Sequence, residues 1–128
     1  MQTSLISNSR ILIVDDDRGI SSMAKRFLEQ ACKCIVREEN FSERAVATAK
    51  EFKPDMVLLD WNMPILNGGD VAALLAAEPD LREVPILFIT GYGDRARKMG
   101  HPILEKPFGW PALVACIDHA LHPSAAAA

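Results

Sequence analysis

The sequence lacks the features that mark several large classes of protein. Three cysteines occur in 128 residues, and this odd number favours free thiols in a reducing compartment over a disulfide framework. No stretch approaches the ~18 consecutive apolar residues of a membrane-spanning helix. Residues 1–10 lack the charged start and the long apolar stretch of a secretory signal peptide. We therefore expect a cytoplasmic protein that does not insert into a membrane.

Basic residues are not in excess either, because the formal net charge is −3. A surface that coats nucleic acid is therefore not expected. The hydrophobic content of 49% and the charged content of 24% are typical of a folded globular chain. The length suffices for one domain with a core and is too short for two. We assign residues 10–122 to this domain, residues 1–9 to a polar lead and residues 123–128 to a frayed tail.

Short apolar runs alternate with helical patterns along the chain. Four runs are typical of strands buried on both faces of a parallel sheet, namely residues 11–14, 56–59, 86–89 and 103–104. A fifth run, residues 34–36, is followed directly by charged residues, which is typical of an edge strand. Because βα units of this kind cross over with a right hand, the pattern predicts a three-layer α/β sandwich.

Apolar residues at helical spacing predict which helix faces lie against the sheet. The predicted inward positions are Ile20, Met23, Ala24, Phe27, Leu28 and Ala31; Ala45, Val46, Ala49 and Phe52; Val71, Leu74 and Leu75; and Trp110, Leu113, Val114, Ile117 and Leu121. We expect Ser42 to cap the second helix. The third helix is expected to begin at Asn67 or Gly68.

Four of the predicted strands end in chemically capable side chains. These are Asp15, Asp16 and Asp17 after the first strand, Asp60 after the third, Thr90 after the fourth and Lys106 after the fifth. Because ligands of open α/β sheets bind at the carboxyl ends of the strands, we expect these side chains at one edge of the sheet. Asp17 is the one best placed to serve instead as a turn former and helix cap.

The acidic members of this set require positive charge nearby. Two like charges about 4 Å apart repel by roughly 4 kcal/mol at an effective dielectric constant near 20. Lys106 can neutralise only one of three carboxylates, whereas a hard divalent cation such as Mg²⁺ suits oxygen ligands of this kind. A carboxylate beside such a cation can attack phosphorus and form an acyl phosphate. Lys106 and the Thr90 hydroxyl could then contact the phosphoryl oxygens, so the pattern predicts phosphoryl transfer.

Four motifs in this order resemble the receiver domain of bacterial two-component response regulators. They are Val14–Asp17, Leu59–Pro64 followed by Gly68, Ile89–Gly91 and Lys106–Phe108, each after its predicted strand. The resemblance covers residues 10 to about 121. It implies a flavodoxin-like (βα)5 fold with a parallel five-stranded sheet in the order 2-1-3-4-5.

The resemblance also implies a magnesium site. Asp16 and Asp60 would ligate Mg²⁺ directly, Asp15 would act through a water molecule, and Asn62 would offer its backbone carbonyl.

A phosphoryl site follows from the same resemblance. Asp60 would accept the phosphoryl group, Thr90 and Lys106 would bind it, and the Lys106–Pro107 peptide bond would be cis. The donor would be a phosphohistidine on a sensor histidine kinase or a histidine phosphotransfer protein. The domain would catalyse only its own phosphorylation and dephosphorylation. As a monomer or weak dimer, it would switch contacts with an unknown downstream protein.

The segment between Thr90 and Lys106 departs from the family pattern. It is shorter than usual, so we expect the helix between the fourth and fifth strands to be truncated or missing. Ile103 stands where the family commonly has an aromatic residue that rotates with the threonine. We expect the loop Gly91–Gly93, which contains the only tyrosine, to replace this switch, because its two glycines make it mobile.

Three alternatives remain open at this stage. The chain could be a receiver excised from a hybrid histidine kinase. It could be a phosphatase of the haloacid-dehalogenase type, which also begins with an acidic motif after its first strand, although Gly19 stands where that motif needs Thr or Val. It could also be a binding module that keeps the fold without the chemistry, and the intact set of site residues argues against this.

Overall fold

The computed structural model describes residues 5–91, 96–97 and 99–123, in which strands and helices alternate along the chain. The strands are β1 (Arg10–Val14), β2 (Ile35–Glu39), β3 (Met56–Asp60), β4 (Ile86–Thr90) and β5 (Ile103–Glu105). The helices are α1 (Arg18–Gln30), α2 (Ala45–Phe52), α3 (Gly68–Ala77) and α4 (Trp110–Leu121), and a 3-10 turn (Ser42–Arg44) precedes α2. None of these helices is long and apolar enough to cross a bilayer.

The five strands form one parallel sheet in the order β2-β1-β3-β4-β5, as predicted. All residues of β3 and β4 are buried, which explains why these strands are continuous apolar runs. β2 lies at the edge of the sheet, as predicted. The charged residues that were expected to follow it, Arg37–Glu39, belong to the strand. Val14 pairs with Leu59 across β1 and β3, so the residues that follow these two strands emerge side by side.

Helices cover both faces of the sheet and produce two hydrophobic clusters. Alternate residues of a strand point to opposite faces, so Ile11 and Ile13 pack with α1 and α4. Leu12 and Val14 pack with α2 and α3. Ile6 is fully buried in the first cluster, so residues before β1 also contribute to the core. This is the predicted three-layer sandwich.

The predicted inward face of α1 is partly wrong. Its buried residues are Ser21, Ala24 and Leu28, whereas Ile20 is 37% exposed and Met23 is 62% exposed. Ala31 is exposed as well. The spacing of apolar residues identifies a helix but leaves its rotation about the helix axis uncertain by about one residue. In the structure α1 is rotated so that the Ser21 hydroxyl is buried and hydrogen-bonded.

Two further helix predictions are wrong, and one is confirmed. Ser42 does not cap α2; its buried hydroxyl donates to the Pro64 carbonyl at 2.8 Å, because the β3–α3 loop packs over it. Leu74 is 46% exposed and Ala72 is buried in its place, since α3 is apolar on most sides and its pattern does not select a face. α3 begins at Gly68, as expected, and Asn67 before it forms a capping box with Asp70.

Between β4 and β5 the structure describes only Gly91, residues 96–97 and residues 99–102. Ala96 and Arg97 are helical, and the amides of Met99 and Gly100 donate to their carbonyls at 3.1 and 3.2 Å. No longer helix exists among these described residues, in agreement with the predicted truncated or missing helix. Tyr92 and Gly93, on which the proposed switch loop depends, lie outside the described residues.

Candidate functional site

Three carboxylates converge at the carboxyl edge of the sheet. Asp15 follows β1 and Asp60 ends β3; they are 4% and 6% exposed. Asp16 is exposed beside them. One oxygen from each of the three side chains lies within 4.8 Å of the other two. The structure therefore brings together the three predicted acidic residues, although 44 positions separate Asp16 from Asp60 (60 − 16).

Lys106 contributes the positive charge of this site. Its ammonium donates to Asp60 Oδ1 at 3.3 Å and lies 3.7 Å from Asp15 Oδ2. Its backbone N–H donates to the Thr90 carbonyl at 2.9 Å, which holds the end of β5 against the end of β4. The Lys106–Pro107 peptide bond is cis, as the resemblance implies.

Thr90 and Asn62 lie at the same edge of the sheet. Thr90 is the last residue of β4 and is fully buried. Asp60 pairs with Ile89 in the sheet register, so Thr90 is one residue beyond the partner of Asp60. Asn62 is exposed in the loop that follows β3. Their contacts with a phosphoryl group and a cation stay predictions.

The β1–α1 loop is held by hydrogen bonds that its own sequence supplies. Asp17 caps α1 by accepting from the amides of Gly19 and Ile20 at 2.9 and 3.1 Å, which confirms the role expected of it. The Asp17 amide in turn donates to Asp15 Oδ1 at 2.9 Å. The cap therefore turns the chain away from the sheet while Asp15 remains directed at the site.

Burial and mutual repulsion perturb the two buried carboxylates. Burial, followed by the charge of Asp15, raises the pKa of Asp60 from 3.8 to about 6, against the lowering effect of Lys106. Burial also raises the pKa of Asp15, opposed by the Asp17 amide and by Lys106. One ammonium does not offset three carboxylates. Their oxygen donors, with Asp16 open to water, fit a hard divalent cation that keeps some of its water ligands.

The β3–α3 loop packs tightly beside Asp60, and sequence reasoning did not anticipate how. A Cβ atom added at Gly68 would lie 2.7 Å from the Asp60 carbonyl oxygen and 2.9 Å from Trp61 Cα, so only glycine lets α3 begin here. The amide of Leu66 donates to Ser42 Oγ at 3.2 Å. Directly before Leu66, Ile65 has a φ of +72° and is 76% exposed. A β-branched residue is rare in this left-handed region.

An apolar groove of about 410 Å³ adjoins the site on the side of Lys106. Its lining residues are Ile20, Met23, Lys106, Pro107, Phe108 and Trp110. The Trp110 ring stacks on Phe27 with centroids 4.7 Å apart, which fixes one wall. The sequence did not predict this groove, because Ile20 and Met23 have the spacing of core residues.

Comparisons with known proteins agree with this architecture. Residues 11–118 match the response regulator receiver domain family. The chain is 33% identical over 111 residues to the phosphate regulon transcriptional regulatory protein PhoB of Pseudomonas aeruginosa, with 82% of this chain and 48% of that protein covered. It is 32% identical over 95 residues to the chemotaxis protein CheY-3 of Vibrio cholerae, with 74% and 73% covered. The chain thus spans about half the length of its PhoB relatives.

Solved structures show the same similarity. The signal receiver domain of a histidine kinase from Syntrophus aciditrophicus superposes with a TM-score of 0.81 at 25% identity, covering 90% of this chain and 91% of that one. The receiver domain of HemR from Leptospira biflexa superposes with a TM-score of 0.75 at 28% identity, covering 88% and 94%.

Proposed function

The chain belongs to the response regulator receiver domain family, and on that premise we propose that it is the phosphoacceptor of a two-component phosphorelay. Asp60 would take a phosphoryl group from a phosphohistidine on a sensor histidine kinase or a histidine phosphotransfer protein. The observation that carries this proposal is the convergence of Lys106, Asp15 and Asp16 on the buried carboxylate of Asp60.

The transfer follows from the chemistry of these side chains. A carboxylate oxygen of Asp60 attacks phosphorus, the O–P bond of an aspartyl phosphate forms, and the N–P bond of the phosphohistidine breaks. The histidine nitrogen keeps the electron pair and takes a proton from water. The Lys106 ammonium, 3.3 Å from Asp60 Oδ1, stabilises negative charge on the phosphoryl oxygens, and the Thr90 hydroxyl donates to another of them.

A divalent cation completes this proposal. The carboxylates of Asp15, Asp16 and Asp60, together with the carbonyl of Asn62, would hold Mg²⁺. When bound, it supplies positive charge that the nucleophile and the phosphoryl oxygens share. The chain's own contribution is to bury Asp60 and to hold three oxygen donors within 4.8 Å of one another.

We propose that the donor protein binds in the groove beside Lys106. Lys106 belongs both to the groove and to the phosphoacceptor site, so a donor protein bound in the groove would lie beside the phosphoacceptor site. Met23 is 62% exposed, and covering it removes apolar surface from water. We propose an apolar helical surface of the donor as the occupant.

The signalling output is also part of the proposal. The chain would act on no substrate besides its own Asp60, and phosphorylation would alter contacts with a downstream protein in the cytoplasm, with the domain a monomer or weak dimer. A receiver within a histidine kinase would use the same site, so the proposal holds for a free-standing domain and for part of a hybrid kinase. The family match leaves the haloacid-dehalogenase alternative without support.

The test is phosphoryl uptake from a small acyl phosphate in the presence of Mg²⁺, followed by intact-protein mass spectrometry. The unaltered chain should gain one phosphoryl group, and Asp60→Asn should gain none. Asp80→Asn, which removes an exposed carboxylate far along the chain from the site, should label like the unaltered chain. A chelator should abolish labelling throughout. Equal labelling of the Asp60→Asn variant would remove the phosphoacceptor assignment.

A further inference from the structure

Three side chains that the phosphoryl chemistry does not use form a hydrogen-bonded chain behind Asp15. The Asn40 amide nitrogen donates to the Asp15 carbonyl oxygen at 2.7 Å and to Ser21 Oγ at 3.0 Å. The Ser21 hydroxyl donates to Glu38 Oε1 at 2.6 Å. Ser21 is fully buried in α1, although a helical stripe position usually carries an apolar residue. These hydrogen bonds link α1, β2 and the loop after β2 to the loop that carries Asp15 and Asp16.

The chemistry of these groups determines which one donates and which one accepts in each hydrogen bond. The Asp15 carbonyl can only accept, so the NH₂ group of Asn40 must face it. The two hydrogens of that NH₂ group match the two acceptors, Asp15 and Ser21. The single hydroxyl hydrogen of Ser21 is then left for the carboxylate of Glu38. The Ser21 hydroxyl also lies 3.4 Å from the Arg18 carbonyl, but its 2.6 Å distance to Glu38 Oε1 makes the carboxylate the main acceptor. With either acceptor the Ser21 oxygen accepts from Asn40, so the Asn40 side chain is held in a single orientation.

This arrangement fixes the main chain at the cation site. The Asp15 amide donates to the Glu39 carbonyl at 3.2 Å, and the Asp15 carbonyl accepts from Asn40. Because a peptide unit is planar, holding the Asp15 carbonyl also holds the amide of Asp16 and the direction in which Asp16 leaves β1. The position of both carboxylates therefore depends on the end of β2 as well as on β1.

We propose that Asn40 is a positioning residue for the cation site, oriented by Ser21 and Glu38. The inference rests on the proposed function, because it assumes that Asp15 and Asp16 help to hold Mg²⁺. Partners that orient metal ligands typically change metal affinity by 10–100-fold when they are removed. Asn40 acts through the backbone of Asp15, so we expect an effect at the lower end of this range.

The test is the Mg²⁺ dissociation constant of the metal-free protein, measured by isothermal titration calorimetry. Asn40→Ala should raise this constant about tenfold. In the acyl phosphate assay the same variant should need a correspondingly higher Mg²⁺ concentration for half-maximal labelling and should reach the unaltered rate at saturation. A role in stability alone would lower the melting temperature without moving the dissociation constant.

Two other variants complete the design. Thr48→Ala removes the bond from the Thr48 hydroxyl to Glu39 Oε1 at the same end of β2 without touching Asp15, and it should bind Mg²⁺ like the unaltered chain. Ser21→Ala keeps Asn40 and removes the hydroxyl that orients it, so its constant should lie between those of Asn40→Ala and the unaltered chain.

The outcomes distinguish the positioning role of Asn40 from the proposed phosphoacceptor function. An unchanged constant in both Asn40→Ala and Ser21→Ala overturns the positioning role and leaves the proposed function intact. An equal rise in Thr48→Ala also overturns it, because the effect would then be a general loosening of β2. Failure of the unaltered chain to bind Mg²⁺ overturns the proposed cation site and this inference with it.

Discussion

The ammonium of Lys106 lies 3.3 Å from Asp60 Oδ1, although 46 positions separate the two residues in the sequence. β3 and β5 both flank β4, so this contact bridges the ends of two strands that do not pair with each other. Asp15, 3.7 Å from the same ammonium, arrives from β1 on the far side of β3. The order of the strands in the sheet thus brings these strand ends together, and the Lys106 ammonium is shared between two buried carboxylates.

The buried charge of Asp60 should make the metal-free protein less stable at neutral pH. Burial and the Asp15 charge raise its pKa from 3.8 to about 6. Because the folded pKa exceeds the unfolded one, the folded state binds more protons, and the free energy of unfolding should fall as the pH rises from about 4 to about 6. Asp60→Asn removes this carboxyl and should stabilise the protein by up to about 3 kcal/mol at pH ~7.

Urea denaturation in a chelating buffer at pH ~4 and pH ~7 measures this effect. The advantage of Asp60→Asn should be present at the higher pH and small at the lower one, where Asp60 is protonated. Asp80→Asn, with an exposed carboxylate, should show no such difference. An Asp60→Asn variant that is no more stable than the unaltered chain at neutral pH would contradict the assigned burial cost.

A side chain at Gly68 should destabilise the protein. Its added Cβ atom would lie within 3.0 Å of two backbone atoms of Asp60 and Trp61, and backbone cannot move aside as a flexible side chain can. We expect Gly68→Ala to lower the free energy of unfolding by about 1–3 kcal/mol. Gly91→Ala is the matched control, because nothing lies within 4 Å of its added Cβ. Equal melting temperatures for the two variants would refute the packing argument.

Ile65 should be replaceable with a gain in stability. Its φ of +72° is unfavourable for a β-branched residue, and its exposure of 76% means that little burial is lost on substitution. Ile65→Asn, which adopts the left-handed region more readily, should raise the free energy of unfolding by about 0.5–1 kcal/mol. Ile65→Val keeps the strain and should leave stability unchanged. Thermal denaturation distinguishes the pair, and a loss of stability in Ile65→Asn would contradict the strain.

Met23 should matter for a protein donor and not for a small one. Met23→Asp places a charge in the apolar groove, and an uncompensated charge at a contact costs about 1.4 kcal/mol or more, which corresponds to tenfold. Phosphotransfer from a phosphorylated histidine phosphotransfer protein should therefore slow by at least about tenfold. Labelling by a small acyl phosphate should not change.

Leu74→Asp is the control for this experiment. Leu74 is also an exposed apolar residue, 46% exposed, but it lies on α3, on the opposite face of the sheet from α1. Radiolabel transfer to the two variants is measured side by side. A similar slowing in both variants would show that the groove is not the docking surface.

The sequence predicted the sheet well because the relevant signal is local. The apolar runs that became β1, β3 and β4 are buried on both faces, so they need no partner-specific pattern to be recognised. The helix faces were less certain. Three residues have the spacing of core residues but are exposed, namely Ile20, Met23 and Leu74. Apolar periodicity predicts that a helix has an inward face, whereas the contacts between the helix and the sheet determine which residues lie on that face.

Some residues of the candidate site could likewise be predicted from the sequence, and others could not. Four site residues could be found because each ends a strand or directly follows one, and the carboxyl ends of the strands share one edge. They are Asp15, Asp60, Thr90 and Lys106. The partners of Asn40 and Ser42 could not be predicted, because a polar side chain carries no local sign of the distant carbonyl that it will bind. The only signal for Ser21 was its spacing to Ala24 and Leu28, which placed a hydroxyl within the buried stripe.

By itself the sequence determined the alternation of strands and helices, the family, and the acidic, hydroxyl and ammonium groups at the strand ends. Only the tertiary structure decided which of these groups touch, how far Lys106 stands from each carboxylate, and that Asn40 holds the main chain of Asp15. The physical reason is the distance along the sequence over which each interaction acts. Burial propensity and capping act over a few neighbouring residues, whereas hydrogen bonds and charge pairs at the site join segments whose distance is set by the packing of the whole sheet.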